Sequence, residues 1–308
     1  MKEVKILVVG SMNMDVMMYD LPYMPGFGES VNCSSYAYIS GGKGANQAIA
    51  AAKLGAKVTM VGRVGMDANG ETLIQKLEEA NVETTYVVRD KDAQTGFDPI
   101  VVDSEGKYIS FVVLGANDCL SPQQVADALE GNEYDMVVMQ LEMPDETIYK
   151  TYEYAREKNI PVFLDAGPAK PLDWGRLKGI HIISPNEAET KAITGIDVAD
   201  LDSARVAAKE IYKLVQPQYV ILKMGERGSL LYNGEEFEEI SSFKVDAVDS
   251  TAAGDTFGAA LSIRLCQGIS MKEALKYASA AAGICVSRKG AQPSIPSQEE
   301  VAAFLQSR

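Results

Sequence analysis

Apolar positions along the chain follow two rhythms. Short runs that are apolar almost throughout, "VKILVVG", "KVTMVG", "MVVMQL", "PVFLD", "HIISPN" and "YVILKMG", alternate with helix-length amphipathic stretches such as "KGANQAIAAAKLG", "NGETLIQKLEEAN" and "DETIYKTYEYAREKN". A strand reads as apolar throughout when both its faces are covered, and helix-length spacers supply the cover, so the pattern predicts a doubly wound α/β fold with a mostly parallel sheet flanked by helices. Two segments break the rhythm, residues 14–40 and 95–115; the second reads as a hairpin around Ser104-Glu105-Gly106. Together they predict a small β-sheet lid inserted into one domain spanning residues 1–308, since no linker, repeat or low-complexity tract divides the chain.

Composition narrows the partners. With 308 residues the chain can bury a full core without a staple, and its formal net charge of -14 repels phosphate backbones and anionic lipid surfaces, which disfavours nucleic acid and membranes as partners. Cys33, Cys119, Cys266 and Cys285 are scattered with no C-x-x-C pair, as expected of reduced thiols in a cytoplasmic protein. No apolar run approaches the ~20 residues that span a bilayer.

In open α/β sheets ligands gather beyond the carboxyl ends of the strands. Four polar clusters fall there: Asn13 and Asp15; "GGKGAN", with Gly41, Gly42, Lys43 and Asn46 opening a helix; Glu142; and "DSTAAGD", Asp249 to Asp255. Amides, a lysine and carboxylates converging on one crevice suit the hydroxyls of a sugar, each of which both donates and accepts. Taken singly, Asn13 and Asp15 could instead form an Asx turn and Glu142 could cap the next helix.

The segment "AAGD" stands at the start of the predicted helix "GDTFGAALSIRLCQG". Amides at a helix N-terminus lack partners and can take a phosphate, and small side chains let it come close. A carboxylate in the same turn is badly placed to bind that phosphate but well placed to take a proton from an attacking hydroxyl, so Asp255 reads as a general base. The plainer alternative is a carboxylate favoured by the helix dipole, which leaves the clearing of side chains ahead of it unexplained.

Other nucleotide motifs fail. Gly42-Lys43 is followed by Gly44 and position 37 is Ala37, so no P-loop is present, and no G-x-G-x-x-G follows the first strand. The lone His181 reads as a packed residue at the start of a strand, and Trp174 as packing over a loop.

"GGKGANQA" (Gly41–Ala48) with "DSTAAGDTFGAAL" (Asp249–Leu261) resembles the paired signatures of the ribokinase-like carbohydrate kinase family, and the likeness continues through "GSMNMD", "GANDCLS", "MQLE", "SPNEAE", "GERG" and "RKGAQPS". The resemblance implies transfer of the ATP γ-phosphoryl group to the primary hydroxyl of a sugar, the 5-hydroxyl of D-ribose. Asp255 would be the base and the amides of Ala252, Ala253 and Gly254 an anion hole. Asn13, Asp15, Gly41, Gly42, Lys43, Asn46 and Glu142 match acceptor-contacting positions. Asn186 and Glu189 match the motif that organises magnesium (Mg2+) and its waters, although Asn186 reads equally as a helix N-cap. Lys223, Gly225 and Gly228 resemble the ATP-binding loop, with Gly254 beside the phosphates and Ser279 near adenine. Asp249, Thr251, Cys285, Arg288, Gly290 and Ser294 match positions around an activating potassium ion (K+), held mainly by backbone carbonyls. Many relatives dimerise through the lid, where Ile100, Val102 and Phe111 are apolar.

Two positions depart from the resemblance. "GFDPIVV" places Phe97, Asp98 and Pro99 where small or aliphatic residues are usual, so Asp98 could meet a different hydroxyl or an amine, or could mark an edge strand. "LDAGPAK" has Asp165 in place of asparagine. The acceptor could therefore be another pentose, a deoxyribose, a ketohexose or a nucleoside. A catalytically silent sugar sensor is the alternative of another class, disfavoured by the intact "AAGD".

Overall fold

The first strand divides the core in two. In β1 (Lys5–Val9), Ile6 and Val8 enter one hydrophobic layer and Leu7 and Val9 the other, all fully buried, because successive side chains of a strand leave on opposite faces. The computed structural model describes residues 2–103 and 108–308. Further strands follow as β2 (Asn13–Leu21), β3 (Ser35–Gly41), β4 (Lys57–Gly65), β5 (Glu83–Asp90), β6 (Gly96–Asp103), β7 (Tyr108–Ser110), β8 (Met136–Met139), β9 (Val162–Asp165), β10 (Ile182–Ser184), β11 (Tyr219–Lys223), β12 (Ser229–Tyr232) and β13 (Phe237–Ile240). The helices are α1 (Lys43–Lys53), α2 (Ala68–Glu79), α3 (Pro122–Leu129), α4 (Asp145–Glu157), α5 (Glu187–Thr194), α6 (Leu201–Val215), α7 (Ala253–Cys266), α8 (Met271–Val286) and α9 (Gln298–Gln306).

The large sheet has nine strands in the order β13-β12-β11-β10-β9-β8-β1-β4-β5, parallel except where β12 and β13 turn back at one edge. Side chains from α1, α2, α7, α8 and α9 build the layer containing Ile6, and those from α3, α4 and α6 the layer containing Leu7. This is the doubly wound arrangement that the apolar runs predict. Close packing sets α7 against the sheet: a Cβ on Gly258 would stand 2.7 Å from the ring of Phe163 on β9.

A second sheet of four strands, ordered β3-β2-β6-β7, is built from the two segments that break the rhythm. Strands β6 and β7 pair antiparallel as a hairpin requires, while its turn at Ser104-Glu105-Gly106 lies outside the described residues. The edge-strand reading of Asp98 and Pro99 does not hold. Strand β6 is internal, with Asp98 in register with Asp15 of β2 and Pro99 with Val16. Proline is tolerated there at the cost of one ladder bond: Phe111 N–H meets Pro99 O at 3.0 Å, and Pro99 has no N–H to return it.

His181 stands just before β10 with its ring edge-on to Tyr219, and Trp174 packs against the second core layer; both are packing residues, as expected. The four cysteines are unpaired. Among the described residues no helix is long and apolar enough to cross a membrane.

Candidate active site

Helix α7 begins on an unusual residue. Its N-cap, Ala252, sits in the left-handed region at φ 61, a conformation that a Cβ makes costly by about 1–2 kcal/mol. Asp249 holds the turn, accepting Thr251 N–H at 2.9 Å and Thr251 Oγ1 at 2.6 Å on one oxygen and Gly290 N–H at 2.9 Å on the other. Ala253 N–H turns back to Ser250 O at 3.2 Å, whereas the amides of Ala252, Gly254 and Asp255 donate to no group among the described residues. Three free donors at a helix start form an anion site. A Cβ on Gly254 would stand 3.4 Å from Lys223 Nζ, so the ammonium ending β11 lies beside those donors.

Asp255 projects from the first turn of α7 into a buried polar network. It is 5% exposed, and its carboxylate accepts Asn46 Nδ2 and Gln47 Nε2 from α1, each at 3.2 Å. Burial is the main force that pushes Asp255 up to about 6, with Lys43 opposing and Asp165 adding to the rise. Asn46 Oδ1 is buried with no partner, a free acceptor in the same wall.

Asp165, ending β9, is fully buried and takes both lysines of the site: Lys223 Nζ at 2.6 Å and Lys43 Nζ at 3.2 Å. Burial works to raise its carboxyl, but the two ammonium groups outweigh it and hold Asp165 below its ordinary value. Burial likewise pulls Lys43 down, and the carboxylates of Asp165, Asp255, Glu189 and Glu142 together hold it well above its ordinary range.

The acceptor candidates line the junction of the two sheets. Asn13 and Asp15 lie on β2 rather than in an Asx turn, and Asn13 Oδ1 accepts Asn117 Nδ2 at 2.7 Å. Gly41 ends β3 opposite Asn13. Gly42, at φ 85, packs so closely that a Cβ would meet Asn13 N at 2.6 Å. Glu142 does not cap the following helix α4, whose N-cap is Pro144; it accepts Ser11 Oγ and, at 3.2 Å, Lys43 N–H at the start of α1. Burial, then Asp98, Glu142 and Asp255, push Asp15 up to about 8.

On the other side of Lys223, Asn186 bridges to it across the strand ends and is the N-cap of α5, accepting Glu189 N–H at 2.8 Å while Glu189 Oε2 accepts Asn186 N–H at 2.7 Å. The helix-cap alternative for Asn186 is therefore realised. Glu189 Oε1 remains 4.0 Å from Lys43 Nζ. Gly225 and Gly228 flank the turn after β11, both with positive φ, and a Cβ on Gly228 would meet Ile240 O at 2.0 Å. Ser279 lies half-buried on α8. Behind the anion site Cys285 Sγ is 3.0 Å from Ser294 Oγ and 3.6 Å from Thr251 O, while the Arg288 side chain turns outward to Glu300 at 2.6 Å. Among the described residues no cluster of three or more His, Cys, Asp or Glu side chains could hold a metal directly.

Three polar side chains in this network escaped the reading of the sequence. Gln47 Nε2 touches both Asp255 and Asp165, the latter at 3.4 Å, and Gln140 Nε2 holds Gln47 Oε1 at 2.7 Å. Asn117 ties Asn13 to the backbone of Met12. The available signal for Gln47 was a polar residue inside the otherwise apolar face of "NQAIAAA". The arrangement brings an anion site, a neighbouring desolvated carboxylate and a cluster of polar side chains together at the ends of the strands, which is the equipment for moving a phosphoryl group onto a hydroxyl.

Comparison with known proteins agrees with that chemistry. Residues 4–298 match the model of the pfkB family carbohydrate kinase. A ribokinase of Bacillus subtilis is 36% identical over 301 residues, covering 97% of this chain and 99% of that protein. A deoxyribokinase of Salmonella typhi is 34% identical over 302 residues, 97% of this chain and 98% of that one. The structure of Arabidopsis thaliana ribokinase complexed with ribose and ATP superposes with a TM-score of 0.88 at 32% identity, covering 99% of each chain.

Proposed function

The chain belongs to the pfkB family of carbohydrate kinases, and on that premise we propose that it transfers the γ-phosphoryl group of ATP to the 5-hydroxyl of D-ribose. The observation that carries the reading is the placement of Asp255: a buried carboxylate raised toward neutrality, in the first turn of α7, directly behind the free amides of Gly254 and Ala252. Asp255 takes the proton of the attacking hydroxyl. The amides of Ala252, Ala253 and Gly254 with Lys223 receive the charge gathering on the transferring group; Ala253 joins when its weak turn bond to Ser250 is exchanged for the phosphoryl oxygen.

Asn13, Asp15, Gly41, Gly42, Lys43, Asn46 and Glu142 bind the acceptor, with Asn46 Oδ1 supplying an unmet acceptor for a sugar hydroxyl. Asn186, Lys223, Gly225, Gly228 and Ser279 bind ATP. Glu189, with Oε1 outside the cap, suits magnesium held through water, and the ion would neutralise phosphate charge. Asp249, Thr251, Gly290 and Ser294 offer the oxygen donors a potassium ion needs, and Cys285 and Arg288 contribute carbonyls. The small sheet serves as a lid over the acceptor. Its face away from Asp15 carries exposed Tyr36, Tyr38, Ile109 and Phe111, which supports a homodimer through that sheet, whereas Ile100 and Val102 are half-buried. Unpaired cysteines suit the cytoplasm.

ADP release with magnesium-ATP and potassium, measured over D-ribose, 2-deoxyribose, arabinose, xylose, fructose, tagatose and ribonucleosides, tests the reading. Ribose leading these neutral acceptors by at least about tenfold in kcat/KM, roughly 1.4 kcal/mol, is the expected result. Another leader overturns the acceptor, and sugar binding without turnover of any acceptor overturns the kinase in favour of a sensor.

A further inference from the structure

Asp15 and Asp98 occupy matching positions on the parallel strands β2 and β6, so their side chains leave the same face of the small sheet. The two differ in how they are supported. Asp98 is half-buried and accepts Ser110 Oγ of β7 at 2.6 Å, which fixes the direction of its carboxyl group. Asp15 is only 9% exposed and, among the described residues, has neither a hydrogen-bond donor nor an ion-pair partner. A buried carboxylate without donors is costly, and a second carboxylate beside it adds to the cost.

The cations that could compensate are committed elsewhere. Lys43 and Lys223 both close on Asp165, and among the described residues no Lys or Arg pairs with Asp15 or Asp98. Glu142 and Asp255 bring further negative charge toward Asp15, consistent with its rise to about 8. A neutral sugar closed over this end of the crevice can donate hydroxyls to these two carboxyl groups but brings them no countercharge. An ammonium supplies the charge and three donors in one group.

We propose that the preferred acceptor is an amino-substituted pentose, a ribose-like ring whose protonated amine lodges between Asp15 and Asp98. The inference rests on the kinase reading for its primary hydroxyl and on the Asp15–Asp98 pair for its amine. Asp98 then determines specificity, and Ser110 positions it. Because Asp15 carries a proton at neutral pH when the site is empty, an arriving ammonium displaces that proton, whereas ribose does not.

Calorimetry at pH 7 with D-ribose, 2-amino-2-deoxy-D-ribose and 3-amino-3-deoxy-D-ribose, run in two buffers of different ionisation enthalpy, reads affinity and proton release together. One aminopentose binding at least tenfold tighter than ribose, with proton release that ribose lacks, is the expected result. Asp98→Asn collapses that preference, and Ser110→Ala weakens it if the first variant does not fold. Ribose binding as tightly as both aminopentoses overturns the inference, as does an Asp98→Asn variant that weakens both classes equally. ADP release on the same ligands separates the two readings. Ribose preferred and phosphorylated leaves the kinase standing without the amine; an aminopentose bound tightly but never phosphorylated does the reverse.

Discussion

Lys223 at the end of β11 reaches Asp165 at the end of β9 across the intervening β10, Nζ to Oδ1 at 2.6 Å, with the carboxylate fully buried and Gly254 of the anion site beside the ammonium. The carboxylate thereby anchors the cation that faces the transferring phosphate, and Lys43 is held from the same atom pair's other oxygen at 3.2 Å. An asparagine at this position could orient the lysines but could not balance their charge.

Asp165→Ala leaves two ammonium groups without their shared partner. Breaking a buried pair from one side costs about 3–5 kcal/mol, and urea or guanidinium unfolding should show a loss of that size. Asp165→Asn should lose less, because the shape and one acceptor remain. A midpoint unchanged in the alanine variant would show the network to be ornamental.

Asp255 works as a base only when deprotonated, and burial raises it to about 6. The kcat/KM for the acceptor should therefore climb with pH through about 6 and then level off. Asp255→Asn should lower kcat by about 10²–10⁴-fold with little change in sugar affinity. A flat profile between pH 5 and 8 in the native enzyme argues for a different proton acceptor.

Asp15 gives stability a pH dependence of definite sign. Its carboxyl is raised to about 8 in the folded state, against about 3.9 when unfolded. The folded state binds that proton more tightly, so the contribution is complete below about pH 4 and is lost as pH rises toward 8. Asp15→Asn, neutral throughout, should raise the Tm of the ligand-free protein at pH 8 by about 2 °C or more, with no gain at pH 4. Equal shifts at both pH values contradict the assignment.

Gly258 permits α7 to lie against Phe163, where a Cβ would come within 2.7 Å of the ring. Gly258→Ala should cost about 1–3 kcal/mol by overpacking and displace the start of α7, lowering kcat as well as stability. A variant that unfolds at the native midpoint would mean that Phe163 rotates away freely.

The central parallel strands of the large sheet were legible because a strand covered on both faces is apolar through its interior: β8 is apolar throughout, and β1, β9 and β11 depart only at one end, at Lys5, Asp165 and Lys223, whereas β5, β12 and β13, toward the edges of the sheet, were not. The helix starts at Lys43 and Ala253 were legible for a different reason: small residues gathered where backbone amides had to be free. Partnerships across long sequence separation were not. That β2 pairs parallel with β6, placing Asp15 beside Asp98, depends on a register no local pattern encodes. Gln47 and Gln140 looked like isolated polar interruptions, since each finds its partner 93 residues away. Asn186 shows the limit in another form, because one side chain satisfies both the capping pattern and the expected magnesium motif, and composition cannot rank the two.

Strand β2 leaves β1, β3 runs into α1, and β6 begins at a single rung, where Asn13 stands between Gly41 and Gly96. Any swing of the small sheet therefore pivots at that rung, and displacement grows with distance along the strands. Asn13 and Gly42 would then stay nearly fixed on the scaffold that carries Lys43 and Asp255, Asp15 would travel a little, and the far ends at Leu21 and Ser35 would sweep widest. A small sheet hinged there would admit a sugar without disturbing the spacing of the groups that do chemistry.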